Sequence, residues 1–196
     1  MSYTLIGSLT SPFVRKIRLA CHGKLDIEFK AINYLEEKDA AYLQSVNPIN
    51  KLPILIDGEQ KIYDSRVIYN YLSKKHGWTP LSLEDENRLS AIDGAADTSV
   101  NLFSLKRAGL DINMNNWYLQ RQRERIPSIF QYLSPWVRSL DGTNPKHWNY
   151  PTMSLYSYVY WGQFRQMLNL EPYPEYQRFL KDFSTKPGIR ETDIPN

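Results

Sequence analysis

Up to residue 76 the spacing of apolar positions along the chain changes repeatedly, and from residue 85 onward it stays helical. "YTLIGS" (Tyr3 to Ser8) is a short apolar run bounded by a turn, the pattern of a buried strand. In "SPFVRKIRLACHGK" the residues Phe13, Ile17, Ala20 and Cys21 share a helical face, with Pro12 suited to the first turn and Gly23 to the stop. "DIEFKAI" alternates Ile27, Phe29 and Ala31 with Asp26, Glu28 and Lys30, which is strand spacing. "EKDAAYLQSV" reads as a short helix that ends before Asn47-Pro48, because the residue ahead of a proline is pushed out of the helical region. "LPILIDGEQKIYD" supplies two strands around Asp57-Gly58, a hairpin signal. "SRVIYNYLSKKHG" then spaces Val67, Ile68, Tyr71 and Leu72 as a helix and closes on Gly77. The predicted order is βαβαββα.

The stretch "WTPLSLEDEN" that follows is polar, carries Pro80, and has an acidic cluster suited to a helix start. Beyond it no strand pattern occurs. Helical patterns run through Glu86 to Ala108, Trp117 to Leu140, Thr152 to Leu168 and Glu175 to Phe183. Pro127 and Pro135 fall inside the second of these and are expected to kink or interrupt it. The expected organisation is an α/β domain over 1–76, a linker over 77–84 and an all-helical domain over 85–196.

Composition narrows the class without naming a function. Across 196 residues, 42% are apolar and 23% charged, the balance of an ordinary globular protein with a sizeable core. Twenty-four Lys and Arg against 21 Asp and Glu leave +3, too little to argue for a nucleic-acid partner. "RQRER" (Arg121 to Arg125) looks basic, but residues two apart on a helix point about 200° apart, so its arginines make no single stripe and read as a solvated face. A single cysteine, Cys21, excludes an internal disulfide and any multi-cysteine metal site, and in its amphipathic setting it reads as a small buried hydrophobe. His22, His76 and His147 show no ligand spacing, so no metal is expected. No run reaches the apolar length of a membrane span, and charges and Pro12 stand where a signal peptide needs its apolar stretch; a cytoplasmic chain with no membrane partner is expected.

Three turn or helix-start features occur in order in the first half: Thr10-Ser11-Pro12, Lys51-Leu52-Pro53 and Asp64-Ser65. Each has a physical reason to touch a small anionic peptide. A helix N-terminus leaves N–H groups unpaired and carries partial positive charge, so Ser65 and its neighbours can hold a carboxylate, while Asp64 can pair with an ammonium. Pro53 follows a residue at a strand edge and is a candidate for a cis bond that turns the Leu52 backbone outward, to pair with a peptide as an added strand does. Taken singly, each feature has a plain structural reading: Ser11 as an N-cap before a first-turn proline, Asp64-Ser65 as an ordinary helix start, Pro53 as a loop end.

"TSPFVRKIRL", "NPINKLPILIDG" and "YDSRVIYNYL", in that order and ahead of an all-helical half, resemble the glutathione S-transferase superfamily. The likeness extends over essentially the whole chain and is strongest over residues 4–76, with bacterial members carrying Thr-Ser-Pro-Phe-Val-Arg-Lys and the tau class as the nearest in appearance. It implies a thioredoxin-like domain followed by an all-α domain, glutathione as co-substrate, and a homodimer. It further implies that Ser11 hydrogen-bonds the glutathione sulfur, with Thr10 as the rival hydroxyl and Phe13 beside them. Lys51 would reach the glycyl carboxylate, Leu52 before a cis Pro53 would pair with the cysteinyl unit, and Asp64 and Ser65 would hold the γ-glutamyl end. Lys38 lies near a second lysine used by the tau class, offset by one position.

The implied activity is conjugation of glutathione to small electrophiles or peroxide reduction with it; the alternative is a relative that no longer catalyses and acts through protein contacts. A thiol-disulfide reductase is disfavoured, since Ser11 cannot form a mixed disulfide. The helical half departs from the family where its sixth helix opens: Asn149 stands as the cap and Thr152 where an aspartate is usual, which suggests a poorer cap. The aromatic run "SLYSYVYWGQF" reads mostly as core, with Tyr156, Tyr160 and Trp161 the residues that can reach a cleft.

Overall fold

The computed structural model describes residues 3–195. The chain forms two compact units, Met1–Pro80 together with Thr185–Asn196, and Leu81–Ser184. The closing segment therefore lies with the α/β unit, whereas the sequence reading carried the helical domain through residue 196.

The α/β unit has the expected βαβαββα order: β1 (Tyr3–Gly7), α1 (Pro12–Cys21), β2 (Ile27–Ala31), α2 (Glu37–Val46), β3 (Ile54–Asp57), β4 (Gln60–Tyr63) and α3 (Ser65–His76). The sheet runs β2-β1-β3-β4, with β1 parallel to β2 and antiparallel to β3, and β3 antiparallel to β4. Because side chains alternate across a strand, Ile6 and Ile54 face one way, where they pack with Ile32 and with Leu43 of α2. Leu5 and Leu55, one residue along and paired with each other, are equally buried, and α1 and α3 pack together in the same unit. Gly7 lets α1 approach β1, since a Cβ there would stand 2.5 Å from Val14 Cγ1.

Arg15 explains the position of the closing segment. It sits on α1 only 2% exposed. Its Nε donates to Thr192 Oγ1 at 3.3 Å, and its Nη2 donates to the Ile189 carbonyl at 3.2 Å and pairs with Asp193 Oδ1 at 3.4 Å. Arg18 Nη2 adds a bond of 2.7 Å to the Glu191 carbonyl. A guanidinium taken out of water needs such acceptors, and the chain end supplies them.

The second unit is built of α4 (Leu83–Arg107), α5 (Trp117–Ser139), a single 3-10 turn (Pro145–His147), α6 (Tyr150–Phe164) and α7 (Pro174–Phe183). Helix α4 starts earlier than its apolar pattern, because Ser82 Oγ caps it by accepting from the Asp85 amide at 3.1 Å. Helix α5 runs continuously from Trp117 to Ser139 through Pro127 and Pro135, so of the expected kink or interruption the second does not occur. Each proline costs about 3 kcal/mol in a helix interior, but Phe130, Leu133 and Val137 are buried along this helix and outweigh it. The Phe130 carbonyl also accepts from Ser134 Oγ at 2.8 Å and Tyr176 Oη at 2.9 Å.

The opening of α6 is better capped than its sequence suggested. Asn149 Oδ1 accepts from the Thr152 amide at 3.2 Å, and the Asn149 amide donates to Thr152 Oγ1 at 2.9 Å, a complete reciprocal box. The Thr152 hydroxyl additionally donates to the His147 carbonyl at 2.6 Å, a contact that an ionised aspartate cannot make. Helix α6 ends at Phe164 rather than Leu168, because the chain reverses at Gln166 (φ 55°) and the Met167 and Leu168 amides donate back to the Gly162 carbonyl at 2.8 and 3.1 Å.

Candidate functional site

The sheet register brings the three singled-out segments to one end of the α/β unit. Ile6 lies opposite Ile54, and Ile54 lies opposite Tyr63. The loop leaving β1 toward Ser11, the Lys51–Pro53 segment entering β3, and the Asp64–Ser65 corner leaving β4 therefore emerge side by side, on strands spaced about 5 Å apart.

Ser11 is the N-cap of α1, with extended backbone (φ −85°, ψ 126°), and its Oγ accepts from the Val14 amide at 3.4 Å. It is half-buried, as are Thr10 and Phe13. The capping bond occupies a lone pair and leaves the hydroxyl proton to donate elsewhere, so a cap can also hold an anion. Thr10 differs: its Oγ1 is 3.3 Å from Ser8 Oγ, and its amide donates to that same oxygen at 3.4 Å. The Phe13 ring has the Lys16 ammonium 5.3 Å from its centre.

The Leu52–Pro53 bond is cis, in accord with the sequence reading. Leu52 packs its side chain against the Ile6, Ile32, Leu43 and Ile54 cluster, while among the described residues its main-chain N–H and C=O have no hydrogen-bond partner. Lys51 is exposed. Its carbonyl is held by Asn47, a residue that sequence reasoning treated only as a helix end. Asn47 is 1% exposed; its Nδ2 donates to the Lys51 carbonyl at 2.6 Å and its Oδ1 accepts from the Ile49 amide at 3.0 Å. An asparagine that ends a helix four residues before a lysine was the available signal.

Asp64 is the N-cap of α3, and its Oδ1 takes both the Arg66 amide at 2.8 Å and the Val67 amide at 3.5 Å. The helix start is thus partly satisfied from within, and Oδ2 stays available for a cation. Its backbone (φ 69°, ψ 135°) is one that a side chain rarely adopts. Such strain costs about 1–3 kcal/mol and gathers at functional sites. Ser65 is 4% exposed at the first position of α3.

Other residues that the sequence raised have plainer roles. Burial pushes the Cys21 thiol up to about 12, so it is inert near neutral pH. Lys38 is exposed in the first turn of α2. Tyr156 and Trp161 are buried in the helical unit, with Tyr156 stacked on Tyr160 at 5.9 Å and Trp161 edge-on to Phe103 at 5.7 Å. Among the described residues no three His, Cys, Asp or Glu gather as a metal group, and no helix is long and apolar enough to cross a membrane.

Residues 5–81 match the family model described as glutathione S-transferase, N-terminal domain. The chain is 30% identical over 146 residues to the Escherichia coli (strain K12) uncharacterized GST-like protein YibF, covering 71% of each. Its fold is similar to that of a glutathione S-transferase from Methylobacterium radiotolerans JCM 2831 in complex with glutathione sulfonate, with a TM-score of 0.83 at 21% identity over 100% of this chain and 95% of that one. It is also similar to a glutathione transferase family member from Pseudomonas fluorescens Pf-5 with bound glutathione, with a TM-score of 0.81 at 23% identity over 99% of this chain and 100% of that one.

Proposed function

Because this chain belongs to the glutathione S-transferase family, we propose that it is a glutathione transferase of the serine type, like the tau class, working in the cytoplasm as a homodimer. Ser11 donates its hydroxyl proton to the glutathione sulfur and holds it as thiolate, for attack on a small electrophile or a peroxide. Lys51 meets the glycyl carboxylate, the Leu52 main chain pairs with the cysteinyl unit, and Asp64 with Ser65 receives the γ-glutamyl end.

The observation that carries this reading is the Ser11 hydroxyl at the start of α1, capping the helix through a lone pair while its proton has no acceptor among the described residues. Lowering a thiol pKa from about 8.5 to about 6.5 takes roughly 2.7 kcal/mol of preference for the thiolate. A hydrogen bond to a charged partner is worth about 1.5–3 kcal/mol and a helix N-terminus about 0.3–1 more, so Ser11 and α1 suffice without a metal. Thr10, engaged with Ser8, is the weaker candidate. The unpaired Leu52 main chain fits the same ligand, because a peptide added at a strand edge needs open N–H and C=O groups.

Calorimetric titration with glutathione, followed by turnover with a panel of electrophiles and peroxides, tests the reading. Ser11→Ala is expected to leave glutathione affinity largely intact, to raise the pKa of the bound thiol, and to slow turnover about tenfold per 1.4 kcal/mol lost. If Thr10→Ala abolishes conjugation while Ser11→Ala changes neither rate nor thiol pKa, Ser11 is only a cap. Glutathione binding without turnover on any substrate would instead favour the non-catalytic, protein-contact reading.

A further inference from the structure

Helices α4 and α5 pack against each other as an antiparallel pair, joined at one end by residues 108–116. Of the twelve large apolar side chains exposed among the described residues, four stand at that tip: Leu110 at 48%, Met114 at 49%, Trp117 at 73% and Tyr118 at 51%. The tip is built, not loose. Gly109, with φ 88°, follows the end of α4 and lets the Leu110 amide donate to the Leu105 carbonyl at 3.0 Å. Asp111 Oδ1 accepts from the Asn113 amide at 2.9 Å, and Asn116 Oδ1 caps α5 by accepting from the Tyr118 and Leu119 amides at 3.0 and 3.3 Å. These bonds hold the turn from within, and what it presents to water is apolar and aromatic.

The charge around the tip is of one sign. Residues 104–123 carry Lys106, Arg107, Arg121 and Arg123 against Asp111 alone. Arg107 closes the last turn of α4, and Arg121 follows Trp117 by four residues, on the same side of α5. Both are exposed, and among the described residues neither makes an ion pair. Arg123 points elsewhere: its Nη1 donates to the Ile112 carbonyl, and with Lys106 it lines a cavity of about 370 Å³ beside the turn after α6. Leu110, Met114, Trp117, Tyr118, Arg107 and Arg121 line no part of that cavity, so together they form an outer surface. That surface is convex, since every residue from Lys106 to Tyr118 except Ile112 is exposed.

We propose that the α4–α5 tip docks on a membrane surface of anionic phospholipids, with Leu110, Met114, Trp117 and Tyr118 entering the headgroup layer and Arg107 and Arg121 meeting lipid phosphates. Apolar side chains exposed singly need no explanation, but a cluster rimmed by cations marks a contact surface. Tryptophan and tyrosine favour the boundary between hydrocarbon and water, and arginine matches phosphate. A convex tip without a groove enters a soft surface, whereas the aromatic anchors of a protein interface need a pocket to fill. The contact is peripheral and requires no spanning helix. It departs from the sequence expectation of no membrane partner, which rested on the length of apolar runs, and it does not depend on the transferase reading.

The test uses the full chain with vesicles of phosphatidylcholine and phosphatidylglycerol at roughly 3:1, and with vesicles of phosphatidylcholine alone, read by co-sedimentation and by quenching of tryptophan emission with brominated lipid. The chain is expected to partition onto the anionic vesicles at least about tenfold more strongly than onto the neutral ones, and to lose that preference as salt rises to about 0.5 M. Arg107→Glu combined with Arg121→Glu should remove the preference. Trp117→Ser combined with Tyr118→Ser should weaken binding about tenfold or more, and Trp117→Phe should remove most of the quenching. All four side chains are exposed, so melting temperature and glutathione titration of these variants should match the parent. Absence of sedimentation with the anionic vesicles, equal binding to both kinds, an aromatic double variant that binds as the parent does, or full competition by soluble glycerol phosphate would each overturn the proposal. So would a smaller sedimentation coefficient for that double variant without lipid, since the tip would then be a contact between copies of this chain.

Discussion

Asn47 Nδ2 donates to the main-chain carbonyl of Lys51 at 2.6 Å, from a side chain only 1% exposed. With its Oδ1 on the Ile49 amide, this one residue shapes the loop that presents Lys51 and Leu52. Asn47→Ala removes both bonds and empties the buried site that the asparagine side chain fills, so it should destabilise the protein by about 1–3 kcal/mol in urea denaturation. It should also raise the KM for glutathione several-fold with little change in kcat. A loss of stability with an unchanged KM would mean that the loop does not position Lys51.

Asp64 separates strain from capping. Asp64→Gly releases a backbone strained by about 1–3 kcal/mol, and glycine caps a helix only a few tenths of a kcal/mol less well, so stability should hold or rise. Asp64→Ala keeps the strain and loses the cap, and should cost about 0.5–2 kcal/mol. Both should weaken glutathione binding if the carboxylate meets the ammonium. Equal melting temperatures for the two variants would show that the φ of 69° carries no strain.

Arg15 makes the chain end part of the α/β unit. Thr192→Val removes one acceptor of a buried guanidinium and should cost about 1–3 kcal/mol. Ending the chain at Lys186 removes the remaining acceptors as well and should cost about 3–5 kcal/mol, the range for stripping a buried charge of its partner. Because the Arg15 amide bonds to the Ser11 carbonyl at 3.0 Å, truncation should speed hydrogen exchange through the first turn of α1 and slow turnover. Unchanged exchange in α1 would confine the effect to the chain end.

The βαβαββα order, the helical second half and the three site segments were legible in the sequence because each is written in a few neighbouring residues. A period of two or 3.6 marks a strand or a helix. Ser11-Pro12 marks a helix start, and Asp57-Gly58 marks a turn. Even there the ends of α4 and α6 moved: Ser82 capped the one, and the reversal over Gly162 cut the other short.

Other features were decided only by tertiary structure. Nothing local reveals that Arg15 meets Thr192 across 177 residues of chain, or that Asn47, a helix end by its own signals, is the buried holder of Lys51. Nor does α5 survive two prolines by its own propensity; it does so because Phe130, Leu133 and Val137 are buried. Arg123, one of three arginines that a helical wheel scatters, becomes part of a cavity only when the turn after α6 folds back beside it. The sequence by itself determined what each segment prefers, since propensity, capping and periodicity act over a single turn or strand. The fold decided which polar groups were left buried and what had to satisfy them, since desolvation is set by whatever distant part of the chain comes to lie on top.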